Sequence, residues 1–235
     1  MDLSQVQPCS QLVQRYGVKA IIFGGPGTGK TPMLTSLPDS IIAFSEPGLL
    51  SIRKFNGAGV ITDTYAKMKD YWYWAVGSAE ARQFQTKCAD SLSQMAEIIL
   101  AEEFARQATG GKGNNTDPRN AYGEMAKKMM DLMNIIYFAP NFQSALIAKE
   151  GAIEFADETK ARPYFPGKEL NIRIPHLFDS VWRVETLKAP IGAFLAGQRV
   201  IRTRENYAAF ARDRSGNLAE LEPADLNMLF NKSMQ

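Results

Sequence analysis

The stretch Gly24-Gly25-Pro26-Gly27-Thr28-Gly29-Lys30-Thr31 has residue types and a spacing that imply chemistry directly. It fits G-x-x-x-x-G-K-[ST], where glycines let the backbone curl until successive N–H groups face one phosphate. A helix beginning just after it adds partial positive charge at its N-terminus. Lys30 supplies a mobile point charge for β- and γ-phosphates, and the Thr31 hydroxyl is a ligand for Mg²⁺. Pro32 fits this scheme, because the first helical positions donate no hydrogen bond within the helix. The overlapping Gly25-Pro26-Gly27 is not a dinucleotide fingerprint, since the third glycine of that pattern is missing.

Such a loop needs carboxylates nearby. Asp90 ends the run Lys87-Cys88-Ala89-Asp90 and is the natural group to hold Mg²⁺ through water, although Asp90-Ser91 also reads as a helix cap. Serine, not an acid, follows Asp90, so a water-activating base must come from elsewhere. Glu46 is the candidate, just past the run Ser40-Ile41-Ile42-Ala43-Phe44. In an open α/β sheet the ligand sits at the C-terminal strand edge, where a carboxylate can orient and deprotonate water. Its plainer role is to cap the turn that follows. A guanine reader of the form Asn-Lys-x-Asp is absent, because Asn231-Lys232 continues with serine and methionine.

The elements that must position these residues follow from the rest of the chain. Its 235 residues are 45% hydrophobic and 22% charged, which suits one large domain. One histidine, His176, and two distant cysteines, Cys9 and Cys88, argue against a zinc site and for a reducing compartment. Neither a leader nor a membrane span is expected, which implies a cytoplasmic protein. A net charge of +2 confines any nucleic-acid binding to a local patch. Residues 1–16 read as a short arm and 17–235 as one domain.

Strands are expected at Val18–Phe23, Ser40–Phe44, Phe84–Asp90, Ser144–Ala148, Ser180–Thr186, Val200–Arg204 and Ala208–Arg212. Helices are expected over 31–37, 65–80, 91–107, up to Met133, and from Pro223. Polar loops are expected at 109–118 and from Glu150 to about Lys168. The alternation predicts an α/β fold, a mostly parallel sheet flanked by helices with an antiparallel β extension near the C-terminus. Tyr71-Trp72-Tyr73-Trp74 cannot form one stacking platform on a helix, so these aromatics are expected to pack. Met129, Met130 and Met133 are expected as a buried stripe, and His176 as structural.

The phosphate loop, strand-end Glu46 and Asp90-Ser91 together resemble RecA-like P-loop NTPase cores. More closely, the chain resembles the small single-domain RecA-core ATPases of bacteriophages, some of which are single-strand annealing proteins. Ala121-Tyr122-Gly123, Tyr164-Phe165-Pro166-Gly167-Lys168, Ile174-Pro175-His176-Leu177-Phe178-Asp179, Ile201-Arg202-Thr203-Arg204 and Ala211-Arg212-Asp213-Arg214-Ser215-Gly216 share in that likeness, over residues 17–232. The resemblance implies ATP and Mg²⁺ as ligands, Glu46 as catalytic carboxylate and Lys149 or Glu150 at the γ-phosphate sensor. Many relatives have histidine or glutamine there. It further implies Arg212 and Arg214 as cations reaching a neighbouring subunit's ATP, hence a homo-oligomer with ATP between protomers. Single-stranded DNA is implied at the two polar loops, with Lys112 and Arg119 at the first and Lys160, Arg162 and Lys168 at the second. Glu150, Glu154, Asp157 and Glu158 offset the second loop's charge. A single-strand-binding protein and a bacterial host cytoplasm complete the expectation. Two other readings stay open, a P-loop nucleotide kinase and a nucleotide-switched assembly module with little turnover.

Overall fold

Residues Ala20 and Ile22 pack into one apolar cluster while Ile21 and Phe23 pack into another, the period-two pattern of a strand covered on both faces. They belong to β1 (Lys19–Gly24), near the middle of the sheet in a computed structural model that describes residues 6–109, 117–155 and 158–235. The other strands are β2 (Ser40–Phe44), β3 (Ala58–Ile61), β4 (Thr86–Asp90), β5 (Gln143–Phe155), β6 (Glu158–Pro163), β7 (Ser180–Thr186), β8 (Arg199–Arg202), β9 (Arg212–Asp213) and β10 (Leu221–Pro223). Their order is β10-β8-β7-β1-β5-β4-β2-β3, with β6 on β5 and β9 on β7. From β7 to β3 every pairing on this path is parallel, whereas β8, β9, β10 and β6 pair antiparallel. The fold is therefore the mostly parallel α/β sheet with an antiparallel extension that the alternation predicts.

Helices α3 (Tyr65–Gly77), α4 (Leu92–Thr109), α5 (Pro118–Phe138) and α6 (Leu170–Leu177) contribute to the larger core, and α2 (Lys30–Leu34) and α7 (Leu226–Ser233) to the other. Tyr71 and Trp72 are buried, Trp74 is half-buried and Tyr73 is exposed, so the aromatic run splits as helical geometry requires. Met129 and Met133 are buried in the same core. Among the described residues no helix is long and apolar enough to cross a membrane.

Two expectations need correction, and three elements come in addition to those expected. Within the stretch read as an arm, Cys9–Tyr16 forms helix α1. The short edge strand β3, Ala-Gly-Val-Ile, carries too little pattern to be recognised. The polar stretch after Lys149 is a two-stranded ribbon, with β5 continuing to Phe155 and pairing with β6; its polarity reflects solvent around an outlying hairpin. Helix α6 hides behind Pro175, which lies inside it, and the strand expected at 208–212 shrinks to β9 after an isolated bridge at Ala209.

Two lysines are buried at the N-terminal ends of β1 and β4. Lys19 is 1% exposed, and its Nζ donates to the carbonyls of Tyr16 and Phe142 and lies 3.7 Å from the Phe142 ring centre. Lys87 donates to Phe84 O and lies 4.6 Å from the same ring. Burial, with repulsion from Lys87, lowers the Lys19 pKa to about 7, and burial lowers that of Lys87 to about 8. The unfolded chain regains ordinary lysines and binds more protons between these values and the normal one, so both contribute stability that grows as pH rises above about 7. The unfolding free energy of the wild-type protein relative to Lys19→Met is expected to increase between about pH 7 and pH 9, as read by denaturant titration. A flat difference would contradict the charged, buried placement.

Candidate functional site

The glycine-rich loop joins β1 to α2 at the C-terminal edge of the parallel strands. Gly27 and Gly29 have φ of 73° and 82°, a region open to glycine without strain, which permits the curl the motif needs. Thr28 Oγ1 donates to Gly25 O at 2.9 Å and ties the loop to itself. Lys30 Nζ donates to the carbonyls of Gly24 (2.8 Å) and Gly25 (2.9 Å), and burial lowers its pKa against the attraction of Asp90, Glu150 and Glu46. The lysine thus folds back onto the carbonyls of its own loop.

Register brings those groups together. Gly24 lies opposite Lys149, and Phe44, two residues before Glu46, lies opposite Asp90. Thr31 Oγ1 donates to Asp90 Oδ2 at 2.5 Å. Burial raises the Asp90 pKa, the Thr31 hydrogen bond opposes it, Glu46 adds to it and Lys30 opposes it. The Asp90–Ser91 peptide is cis. Ser91 Oγ accepts from Gln94 N at 3.3 Å, so the capping of α4 falls to Ser91 and the Asp90 carboxylate is left for Thr31. The same hydroxyl donates to Glu46 Oε1 at 2.7 Å. Lys149 Nζ lies 3.9 Å from Glu46 Oε1 and donates to Gln94 and Glu97, both at 2.9 Å. Its backbone N–H donates to Ser93 Oγ at 2.9 Å, while that hydroxyl donates to Tyr164 O at 2.6 Å.

A hydroxyl and a carboxylate oxygen in contact, beside a loop of N–H donors, are hard donors of the kind Mg²⁺ takes when it also binds phosphate oxygens. The arrangement can hold a polyphosphate and its cation, with Glu46 at the adjoining strand end for a water molecule. Sequence reasoning missed the ladder of charges beside it. Arg183 grips Glu150 through Nε (2.7 Å) and Nη2 (3.1 Å) and bonds Glu185 at 2.8 Å. Arg202 continues the ladder to Glu185 (2.8 Å) and Glu220 (2.6 Å). It also missed Arg199, whose guanidinium lies against Gly29. Only three-dimensional pairing reveals these contacts, since the partners come from distant strands.

Arg212 and Arg214 sit at the other edge of the sheet, where Arg212 lies opposite Val181 near the start of β7. Arg212 Nη2 donates to the carbonyls of Pro175 (2.5 Å), His176 (3.3 Å) and Phe178 and closes the C-terminal end of α6. Arg214 pairs with Asp179 at 2.8 Å. Both guanidiniums are engaged within the chain.

Of the residues expected at DNA, Lys112 lies outside the described residues, as does Asp157. Arg119, in the first turn of α5, and Lys168 are exposed and line one cavity of about 540 Å³ together with Tyr122 and Gly167. Lys160 is held by Glu158 (2.6 Å) and Glu205 (2.9 Å). Arg162 is buried, its guanidinium 4.7 Å from the Phe210 ring centre.

A family model described as AAA domain matches residues 16–215. No curated protein matches the chain. Among solved structures the RadB recombinase aligns over 89% of this chain and 91% of its own, at 14% identity and a TM-score of 0.50. A KaiC-like protein from Pyrococcus horikoshii OT3 aligns over 83% and 84%, at 11% identity and a TM-score of 0.48. The flagellar accessory protein FlaH from Methanocaldococcus jannaschii aligns over 80% and 78%, at 12% identity and a TM-score of 0.39. The RecA-like fold is common ground with RadB.

The contacts of the two C-terminal arginines give a direct test of their structural share. Arg212→Ala is expected to lower the unfolding free energy by about 1–3 kcal/mol, because three carbonyls lose a charged donor. Arg214→Ala, which breaks an exposed pair, is expected to cost below about 1 kcal/mol by the same denaturant measurement.

Proposed function

The chain belongs to the AAA domain family, and on that premise we propose that it binds ATP with Mg²⁺, hydrolyses it, and couples the cycle to single-stranded DNA. One observation carries the nucleotide part: the phosphate loop, Asp90 and Glu46 meet at one strand edge, with Thr31 bonded to Asp90 at 2.5 Å. In this reading the loop N–H groups and Lys30 bind the phosphates, and Thr31 and Asp90 hold the cation. Mg²⁺, when bound, neutralises charge on the β- and γ-oxygens. Glu46 orients the attacking water and accepts its proton. Ser91 and Lys149 position that carboxylate, and Lys149 takes the place of the histidine or glutamine sensor.

The DNA part rests on the cavity shared by Arg119 and Lys168, where Tyr122, 40% exposed, offers an aromatic face beside the two cations. Cations along a groove with an aromatic residue suit a single strand, whose phosphates and bases both need partners. Lys112 belongs to the same proposal; Lys160, held by two carboxylates, and buried Arg162 contribute less to it. RadB is a recombinase; at 14% identity its likeness supports the fold, and the DNA reading stands on these residues. The proposed setting is recombination or strand annealing of a phage type, with ATP between protomers of a homo-oligomer. Arg214, held at the surface by Asp179 and by a 3.5 Å bond to His176 O, is the more available cation for a neighbouring subunit's nucleotide.

Hydrolysis by the purified protein is expected to be stimulated by single-stranded DNA. Glu46→Gln is expected to lower it by about 10²–10⁴-fold while ATP binding survives. Phosphate transfer to a nucleoside monophosphate without DNA stimulation would replace this reading with a kinase. Arg119→Ala and Lys168→Ala are each expected to reduce the salt slope of DNA affinity by about 0.7, the contribution of one neutralised phosphate on a single strand.

A further inference from the structure

Arg199 opens β8 opposite Thr186, at the edge of the sheet that carries the phosphate loop. Its guanidinium occupies the space a side chain at position 29 would fill. A Cβ on Gly29 would lie 2.5 Å from Arg199 Cζ and Nη1 and 2.8 Å from Nη2. Gly29 is therefore required twice, by its φ of 82° and by the arginine resting on it.

The electrostatics of that position are unusual for this sheet. Arg183 and Arg202, on the neighbouring strand and the same strand, are neutralised by Glu150, Glu185 and Glu220. Arg199 is exposed, and among the described residues no carboxylate pairs with it. Its neighbour is instead Gly29, in a loop whose glycine-rich backbone suits N–H groups turned toward an anion. A guanidinium with no carboxylate partner gains one when an anion enters such a loop. A planar guanidinium presents paired donors that match phosphate oxygens two at a time.

We propose that Arg199 is a nucleotide-binding residue, donating to the polyphosphate held by the loop of its own chain. The proposal rests on the reading of the loop as an ATP site, and it adds to that site a cation that no sequence motif marks.

Calorimetric titration of the full-length protein with Mg·ATP tests it, using Lys30→Ala, Arg199→Ala, Arg199→Gln and Arg199→Lys. Arg199→Ala and Arg199→Gln are expected to bind about ten- to a hundredfold more weakly than wild type. Arg199→Lys is expected to recover part of the loss, since an ammonium keeps the charge without the paired donors. Unaltered thermal unfolding of Arg199→Gln, which keeps most of the stem, separates a binding effect from a folding one. Wild-type affinity in both neutral variants, with binding lost in Lys30→Ala, overturns the role of Arg199 and leaves the ATP site standing. Absence of ATP binding by the wild-type protein overturns both.

Discussion

Parallel strands all finish on the same side of their sheet, so loops remote in sequence are delivered to one line in space. Here β1, β2, β4 and β5 are in such register that Gly24 faces Lys149 and Phe44 faces Asp90. The phosphate loop, both acidic residues and the lysine beside Glu46 consequently crowd one edge. Covering both faces with helices fixes that register, because a slip by one residue would exchange the two apolar clusters.

Crowding carboxylates at a half-buried edge is costly unless each has a partner, and the edge is organised accordingly. Asp90 takes the Thr31 hydroxyl, Glu46 takes Ser91, and Glu150 takes the forked donors of Arg183. Opposite shifts of Lys30 and Asp90, one lowered and one raised by burial, mark the same low-polarity environment acting on charges of opposite sign. A bound cation and polyphosphate would enter an edge already arranged as alternating charge. The single histidine of the chain has no part in it; His176 contributes its carbonyl to Arg212 at the far end.

The loop was legible because its chemistry is local: eight consecutive residues, a buried strand before and a helix after. Asp90 and Glu46 were legible as strand-end carboxylates. What escaped depends on partners far along the chain. Arg162 and Lys160 read as DNA contacts in the sequence, where nothing announces that Phe210 packs on the first or that Glu205, 45 residues away, pairs with the second. The hairpin reads as a loop because Glu150, Glu154, Glu158, Thr159 and Lys160 give its sequence a polar character without the apolar alternation of a covered strand. Arg199 carries no signal at all, since its significance lies in touching Gly29.

Ser93 has one hydroxyl and uses it twice, accepting from the Lys149 amide and donating to the Tyr164 carbonyl. A further bond, Tyr164 N–H to Lys149 O at 2.9 Å, clamps the two legs of the β5–β6 ribbon at the same place. In mechanical terms Ser93 is a fulcrum and the ribbon a lever, extending at roughly 3.3 Å per residue from that pivot. Where Lys149 sits therefore sets where the ribbon leaves the sheet, without a contribution from the apolar clusters.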